Sequence, residues 1–171
     1  MDALCLAARE SRRTVVSTQV VPPATAPDVK EGDTLPELTI EATPTFVVST
    51  ALATRDFQDV HHDRDLAHQK GSKDIFVNIL TDTGLVQRYI TDWAGQRAQI
   101  RSIKLRLGVP WYAYDTLTLT GTVTSVADGL VNVEVVGTDS LGKHITSQVS
   151  LVMDRTVAGA LPETSRAGVA G

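Results

Sequence analysis

The sequence predicts an α+β domain in which an antiparallel sheet wraps around one long central helix. Three observations carry this expectation. From residue 100 onward, four segments alternate apolar and polar side chains with period two; the proline-free segment just before them, 74–93, places its apolar residues at helical spacing; and short turn signals separate the alternating segments. At 171 residues and 42% apolar content, the chain is sized for a single core.

The elements follow in chain order. Residues 21–37, VPPATAPDVKEGDTLPE, contain four prolines and no hydrophobic period, which predicts a linker. The chain after Met153 is similarly small and polar. The expected division is a flexible N-terminal extension over 1–34, a folded domain over 35–153 and a flexible tail over 154–171. A strand is expected over 46–54. In DIFVNILTDTGLVQRYITDW, residues 74–93, the residues Ile75, Phe76, Ile79, Leu80, Val86, Tyr89, Ile90 and Trp93 recur as on a helix. Ser72 can cap its first turn, Asp74 suits the positive end of its dipole, and the scarcity of polar positions predicts burial along most of its length.

Four strands are expected after it, marked by Ile103, Leu105 and Leu107; by Leu117, Leu119 and Val123; by Val131, Val133 and Val135; and by Ile145, Val149, Leu151 and Met153. These odd positions define a buried face, while Lys104, Arg106, Thr118, Asn132, Glu134 and Gln148 occupy the even ones. ADGL at 127–130 and SLGK at 140–143 supply turns, so the C-terminal half reads as an antiparallel meander.

Composition narrows the function. A net charge of −4 and a pI near 5.5 give no basic footprint for nucleic acid. Cys5 is the only cysteine, which excludes an intrachain disulfide and a thiolate metal cage and points to a reducing compartment, the cytoplasm. The apolar stretch at 3–8 is shorter than a signal-peptide core and its arginines follow it, so no export signal is read. No run of eighteen apolar residues offers a membrane span.

One stretch stands apart. RDFQDVHHDRDLAHQKG, residues 55–71, carries four Asp, three His, two Arg and one Lys, which is far more titratable chemistry than its neighbours hold. A solvated loop accounts for Asp63, Arg64, Asp65 and Lys70. Phe57 and Val60 are expected to draw the connection inward, leaving Asp56 and His61 facing a semi-enclosed pocket between strand and helix. A carboxylate and an imidazole so placed can move protons and water if both reach one water.

A metal reading competes, because His61, His62, Asp63 and His68 are all ligand types and the His-Asp pair is shared with metal-dependent phosphohydrolases. Those are all-helical, with ligands on several helices, whereas half of this chain alternates as strands; no metal site is assigned. His62 reads as an exposed neighbour of His61, His68 as a loop residue and His144 as part of the polar face of the last strand. Lys104 and Arg106 suit either phosphate contact or a solvated face.

The order of strand, Asp-x-x-x-x-His, central helix and strands resembles the MaoC-like hydratases of the hotdog fold, whose motif reads roughly G-D-x-N-P-x-H-x-D. RDFQDVHHD matches it at Asp56, His61 and Asp63, and LRLGVPWYAYDTLTLTGTV is similar to the family's strand and turn ahead of a Gly-Asp-Thr-Leu segment. The similarity spans about residues 35–153. STALATRDFQDVHHDRD, KDIFVNILTDTGLVQRYITDWAG and LRLGVPWYAYDT resemble, more narrowly, the small MaoC-like subunits of heteromeric hydratases acting on steroid side-chain CoA esters in bacterial cholesterol catabolism.

That resemblance implies that Asp56 and His61 activate water for syn addition across a trans-2-enoyl thioester, with the backbone amide of Asn78 polarising the thioester carbonyl. It implies a CoA thioester as substrate, no further cofactor, and a larger MaoC-like partner subunit in a heterotetramer. The departures are Arg55 for the motif glycine, Gln58-Asp59 for Asn-Pro, Val77-Asn78 for the usual His-Gly, and Ala113-Tyr114-Asp115 for Pro-Gly-Asp. They bear on substrate shape more than on reaction type. A hotdog thioesterase and a non-catalytic acyl-CoA-binding partner subunit are the alternatives. PWYAYD, residues 110–115, brings three aromatics to one turn, which fits a pocket lining, a subunit contact or simple core packing.

Overall fold

The computed structural model describes residues 29–95 and 98–153. Strands β1 (Thr34–Glu41), β2 (Ala98–Leu107), β3 (Thr116–Ala127), β4 (Leu130–Asp139) and β5 (Gly142–Met153) form one antiparallel sheet in the order β1-β3-β4-β5-β2. Between β1 and β2 the chain runs through α1 (Pro44–Ala53), a 3-10 turn (Asp59–His61), α2 (Arg64–Gln69) and α3 (Ile79–Ala94). The long helix α3 packs Leu85, Val86, Tyr89, Ile90 and Trp93 into the same buried cluster as Leu117, Leu119, Val133, Val135, Val149 and Leu151 of the sheet. This is the α+β, sheet-around-helix architecture that the alternation and the helical period predict.

The inner positions of β3, β4 and β5 are the odd-numbered apolar residues, and burial alternates along each strand. Asp128 and Gly129 link β3 to β4 with φ of 51° and 78°, the two positive values a type I′ hairpin requires. The meander, however, comprises only β3, β4 and β5. Strand β2 pairs with β5 at the far end of the sheet, so the β2–β3 connection crosses from one side to the other. Its apolar residues Ile103, Leu105 and Leu107 are only partly buried, as befits an edge strand.

Several local expectations are overturned. Residues 46–54 are not a strand: Pro44–Ala53 is a helix, because Thr43 accepts from the Phe46 N–H at 3.1 Å and Pro44 occupies the first turn. Val47 and Ala51, one turn apart, face the core, and the Thr50 and Thr54 hydroxyls bond back to carbonyls of the preceding turn. The linker expected over 21–37 ends in β1, which pairs with β3; Pro36 is accommodated where the register slips between Leu35 and Leu38. Residues 1–28 and 154–171, read from sequence as flexible, lie outside the described residues.

The central helix begins five residues later than its apolar period suggests and is capped by Asn78, not Ser72. Residues 75–77 are extended and tied to the 111–113 segment: Val77 donates to Trp111 and Ala113 donates to Ile75, at 3.0 and 2.9 Å. Asp74 therefore serves no helix dipole and instead accepts from Arg64 Nε at 2.7 Å. Nor is α3 buried all round, since Ile79 and Leu80 are about half exposed at 49% and 52%.

Gly108, at the end of β2, donates to His144 at 2.8 Å, and a Cβ there would be driven into the Lys143 backbone carbonyl. Neither backbone can yield without opening the β2–β5 pairing. Gly108→Ala should therefore destabilise the domain by about 1–3 kcal/mol, read as a lower denaturant midpoint with an unchanged slope; an unshifted midpoint would contradict this packing.

Candidate active site

The connection that carries Asp56 and His61 runs from helix to helix, not from strand to helix. Arg55, with φ of 58°, ends α1; its N–H bonds to Leu52 and the Asp56 N–H to Ala51, both at 3.0 Å, which is the paired closure of a Schellman motif. The motif glycine that Arg55 replaces would adopt this left-handed turn at no steric cost; Arg55 keeps the turn without it. Asp56 is thus placed by the C-terminus of α1. Five residues on, the His61 N–H bonds to Gln58 at 3.0 Å and closes the 3-10 turn that returns the histidine toward the aspartate.

The two side chains meet. Asp56 Oδ2 lies 3.6 Å from His61 Nε2, too long for a direct hydrogen bond but short enough for both to engage one water. His61 is buried, and its ring packs edge-on against Phe76 with centroids 4.8 Å apart. His61 Nδ1 is 2.8 Å from the Phe76 carbonyl, which can only accept, so Nδ1 carries a proton and Nε2 is the atom presented to Asp56. Asp56 accepts from Asn78 Nδ2 at 3.0 Å and from the Gln58 N–H at 3.3 Å.

Asn78 sits at the start of α3 beside this pair. Its side-chain oxygen accepts from the Thr81 N–H at 2.9 Å and its amide nitrogen donates to Thr54 Oγ1 at 2.9 Å as well as to Asp56. Its own backbone N–H has no hydrogen-bond acceptor among the described residues and lies at the positive end of the helix dipole. The side chain, which stands where the family motif has glycine, is therefore hydrogen-bonded to the candidate pair through Asp56.

Other sequence expectations fare differently. Phe57 does not pull the loop inward; it is 63% exposed, while Val60 packs against the core. Asp63 is not merely solvated, because it caps α2 by accepting from Leu66 N at 3.0 Å, and Lys70 pairs with Asp59 at 2.7 Å. His62 is half-buried and bonds to the Phe57 carbonyl, and His68 bonds to the Lys73 carbonyl. The proposed metal ligands are not brought together: among the described residues no group of three or more His, Cys, Asp or Glu could share an ion. Trp111 is buried between Phe46 and His144, Tyr112 is half-buried against Phe76, and Tyr114 is exposed. Lys104 and Arg106 are exposed on β2.

His144 is the largest departure. It is buried, not on a polar face, because the register of β4 and β5 slips between Gly137 and Thr138 and turns an even position inward. His144 Nδ1 lies 2.6 Å from the Val109 carbonyl, and Nε2 lies 3.2 Å from Asp82 Oδ2, within ion-pair range but without hydrogen-bond geometry. Asp82, fully buried on α3, went unnoticed in sequence; its signal was an acid three and four residues ahead of Leu85 and Val86 on the apolar face.

The chain has relatives. No family model matches it. It is 70% identical over 122 residues to the 3-oxo-4,17-pregnadiene-20-carboxyl-CoA hydratase beta subunit of Mycobacterium tuberculosis, covering 71% of this chain and 95% of that protein. The chain belongs to the MaoC-like hydratase family. Among solved MaoC-like and related structures, a chain of the ChsH1–ChsH2 complex from Mycobacterium tuberculosis superposes with a TM-score of 0.72 at 68% identity, covering 74% of this chain and 99% of that one. The (R)-hydratase of A. caviae involved in PHA biosynthesis, 15% identical, superposes with a TM-score of 0.69 over 74% of this chain and 98% of its own, and so shares the hotdog fold. Arg55 and Tyr114, which stand where the MaoC-like motifs have glycine, both have positive φ.

Burial pushes the Asp82 carboxyl up, against the opposing pull of His144 and, further off, of His61. For His144, burial pushes downward, but the Asp82 carboxylate and the Val109 carbonyl outweigh it and the net shift is upward. A raised histidine stabilises the fold fully below its ordinary value of 6.5 and loses that contribution as pH rises through the raised value. His144→Gln should cost about 3–5 kcal/mol near pH 6, as removing one partner of a buried pair does. Denaturant titrations at several pH values should show that gap narrowing as pH rises above neutrality; a gap constant with pH would contradict a protonated His144.

Proposed function

We infer that the chain is a catalytic subunit of an enoyl-CoA hydratase, adding water across the trans-2-enoyl thioester of a steroid side-chain CoA ester. The observation that carries the reading is the pair of Asp56 Oδ2 and His61 Nε2, 3.6 Å apart, with His61 Nδ1 committed to the Phe76 carbonyl. The 70% identity to a hydratase subunit named for a pregnadiene carboxyl-CoA ester supports the substrate class.

The chemistry follows from the atoms. A water held by both groups donates one proton to His61 Nε2 while its oxygen bonds to the β-carbon of the enoyl group. The electron pair of the alkene moves onto the thioester oxygen, where the Asn78 N–H and the α3 dipole meet the developing charge. The imidazolium so formed then delivers its proton to the α-carbon on the same face. Water is added whole and both side chains return to their starting states. Ile79 and Leu80, half exposed in the first turn of α3, and Phe57, beside Asp56, offer apolar contact to a fused-ring acyl group.

Asp56→Asn and His61→Ala should each lower turnover by about a hundredfold to ten-thousandfold with unchanged circular dichroism. Enoyl-thioester absorbance follows hydration and a thiol reagent follows release of free CoA. Thiol release in place of hydration would identify a thioesterase, and near-normal turnover in both variants would leave only a binding role.

The same reading includes a larger MaoC-like partner subunit in a heterotetramer. The edge of β2 away from β5 pairs with no described strand, and its apolar face is only partly covered, as in a sheet continued by a second chain. The solved relative at 68% identity comes from a two-component complex. Co-expression with a candidate partner should give stable co-elution and far higher activity on the steroid ester than either chain alone. A homodimer fully active on that ester would sink this assignment.

A further inference from the structure

Tyr114 is held with φ of 70° and is 66% exposed. A bulky residue in the left-handed region is strained where glycine would not be, and an exposed ring recovers nothing through core packing. Its surroundings suggest what the ring is for. The Arg64 guanidinium lies 5.6 Å from the Tyr114 ring centroid, and Lys73 Nζ lies 5.8 Å from that of Tyr112. Asp74 engages one edge of Arg64, through Nε, and the Asp115 carboxylate is turned to the Thr116 N–H and Ser140. Among the described residues no carboxylate lies within ion-pair range of Lys73.

This cluster is continuous with the catalytic pair. Phe76, edge-on to His61, is also edge-on to Tyr112 with centroids 6.1 Å apart. Ring contacts therefore lead from His61 through Phe76 to Tyr112, and Tyr114 stands two residues further along the same turn, with a cation over each tyrosine. A CoA ester whose thioester lies at His61 carries its nucleotide at the far end of the pantetheine arm, remote from the reacting atoms.

We propose that Tyr114, Arg64, Tyr112 and Lys73 form a shelf for the phosphorylated adenosine end of the CoA ester. Adenine stacks on the face of Tyr114 turned away from Arg64, and Arg64 and Lys73 meet the phosphates. Aromatic stacking of a base and charge-assisted contact with phosphate are what this combination of side chains does well. The assignment deepens the acyl-CoA reading above and rests on it.

The test uses the complex of this chain with its partner subunit and two variants, Tyr114→Gly, which relieves the strained turn, and Arg64→Gln. Calorimetric titration with adenosine 3′,5′-bisphosphate should show about tenfold weaker binding in each. KM for the steroid enoyl-CoA should rise to a similar extent with kcat unchanged, while KM for the pantetheine ester of the same acyl group stays constant. Unchanged bisphosphate affinity in both variants, or equal losses on the two esters, would overturn the shelf. So would a loss of affinity produced by Lys104→Gln and Arg106→Gln instead. Bisphosphate binding that depends on Tyr114 in a complex that hydrates no enoyl-CoA would keep the shelf and refute the hydratase reading.

Discussion

One side-chain amide holds the candidate site together. Asn78 donates to Asp56 and to Thr54 at the end of α1, and accepts from the Thr81 N–H at the start of α3. It therefore fixes the carboxylate relative to both helices and leaves its own backbone N–H at the dipole's positive end. A glycine here would anchor nothing, and Asp56, which follows a left-handed turn at Arg55, is restrained by that amide.

Beneath the pair lies a second layer. Asp82, one turn into α3, faces His144 on β5, and the Val109 carbonyl holds the other nitrogen of that ring. The carboxylate and imidazole are both buried, and removing two charges from water is costly unless each is paired. Thr81, Tyr89 and Ser147 add buried hydroxyls with no hydrogen-bond partner among the described residues. The helix that supports the candidate site is thus seated on a polar contact as well as on Val86 and Ile90, and that contact ties its first turns to the register slip between β4 and β5.

The two turns that depart most from the family pattern share one physical explanation. Arg55 and Tyr114 occupy backbone conformations that favour glycine, so both turns are held by their surroundings and not by local preference. At Arg55 the restraint is the Schellman closure of α1; at Tyr114 it is the bond from the Tyr114 N–H to the Ala42 carbonyl.

The sequence by itself determined the strands β3, β4 and β5, the turn at Asp128 and Gly129, the existence of a long helix and the identity of Asp56 and His61 as the pair to watch. These are local: alternation, helical period and motif spacing act between residues close in the chain. It misread residues 46–54, whose Val and Thr favour strands, because the Thr43–Pro44 cap and the burial of Val47 and Ala51 decide for helix. It placed the start of α3 too early, because the tie between residues 75–77 and 111–113 competes for the same backbone groups. Only the tertiary structure decided that β2 crosses to the far edge of the sheet, that Asn78 acts through its side chain, and that His144 turns inward to Asp82. Each depends on partners tens of residues away, and no local pattern encodes a register slip or the strand on which a buried acid will find its base.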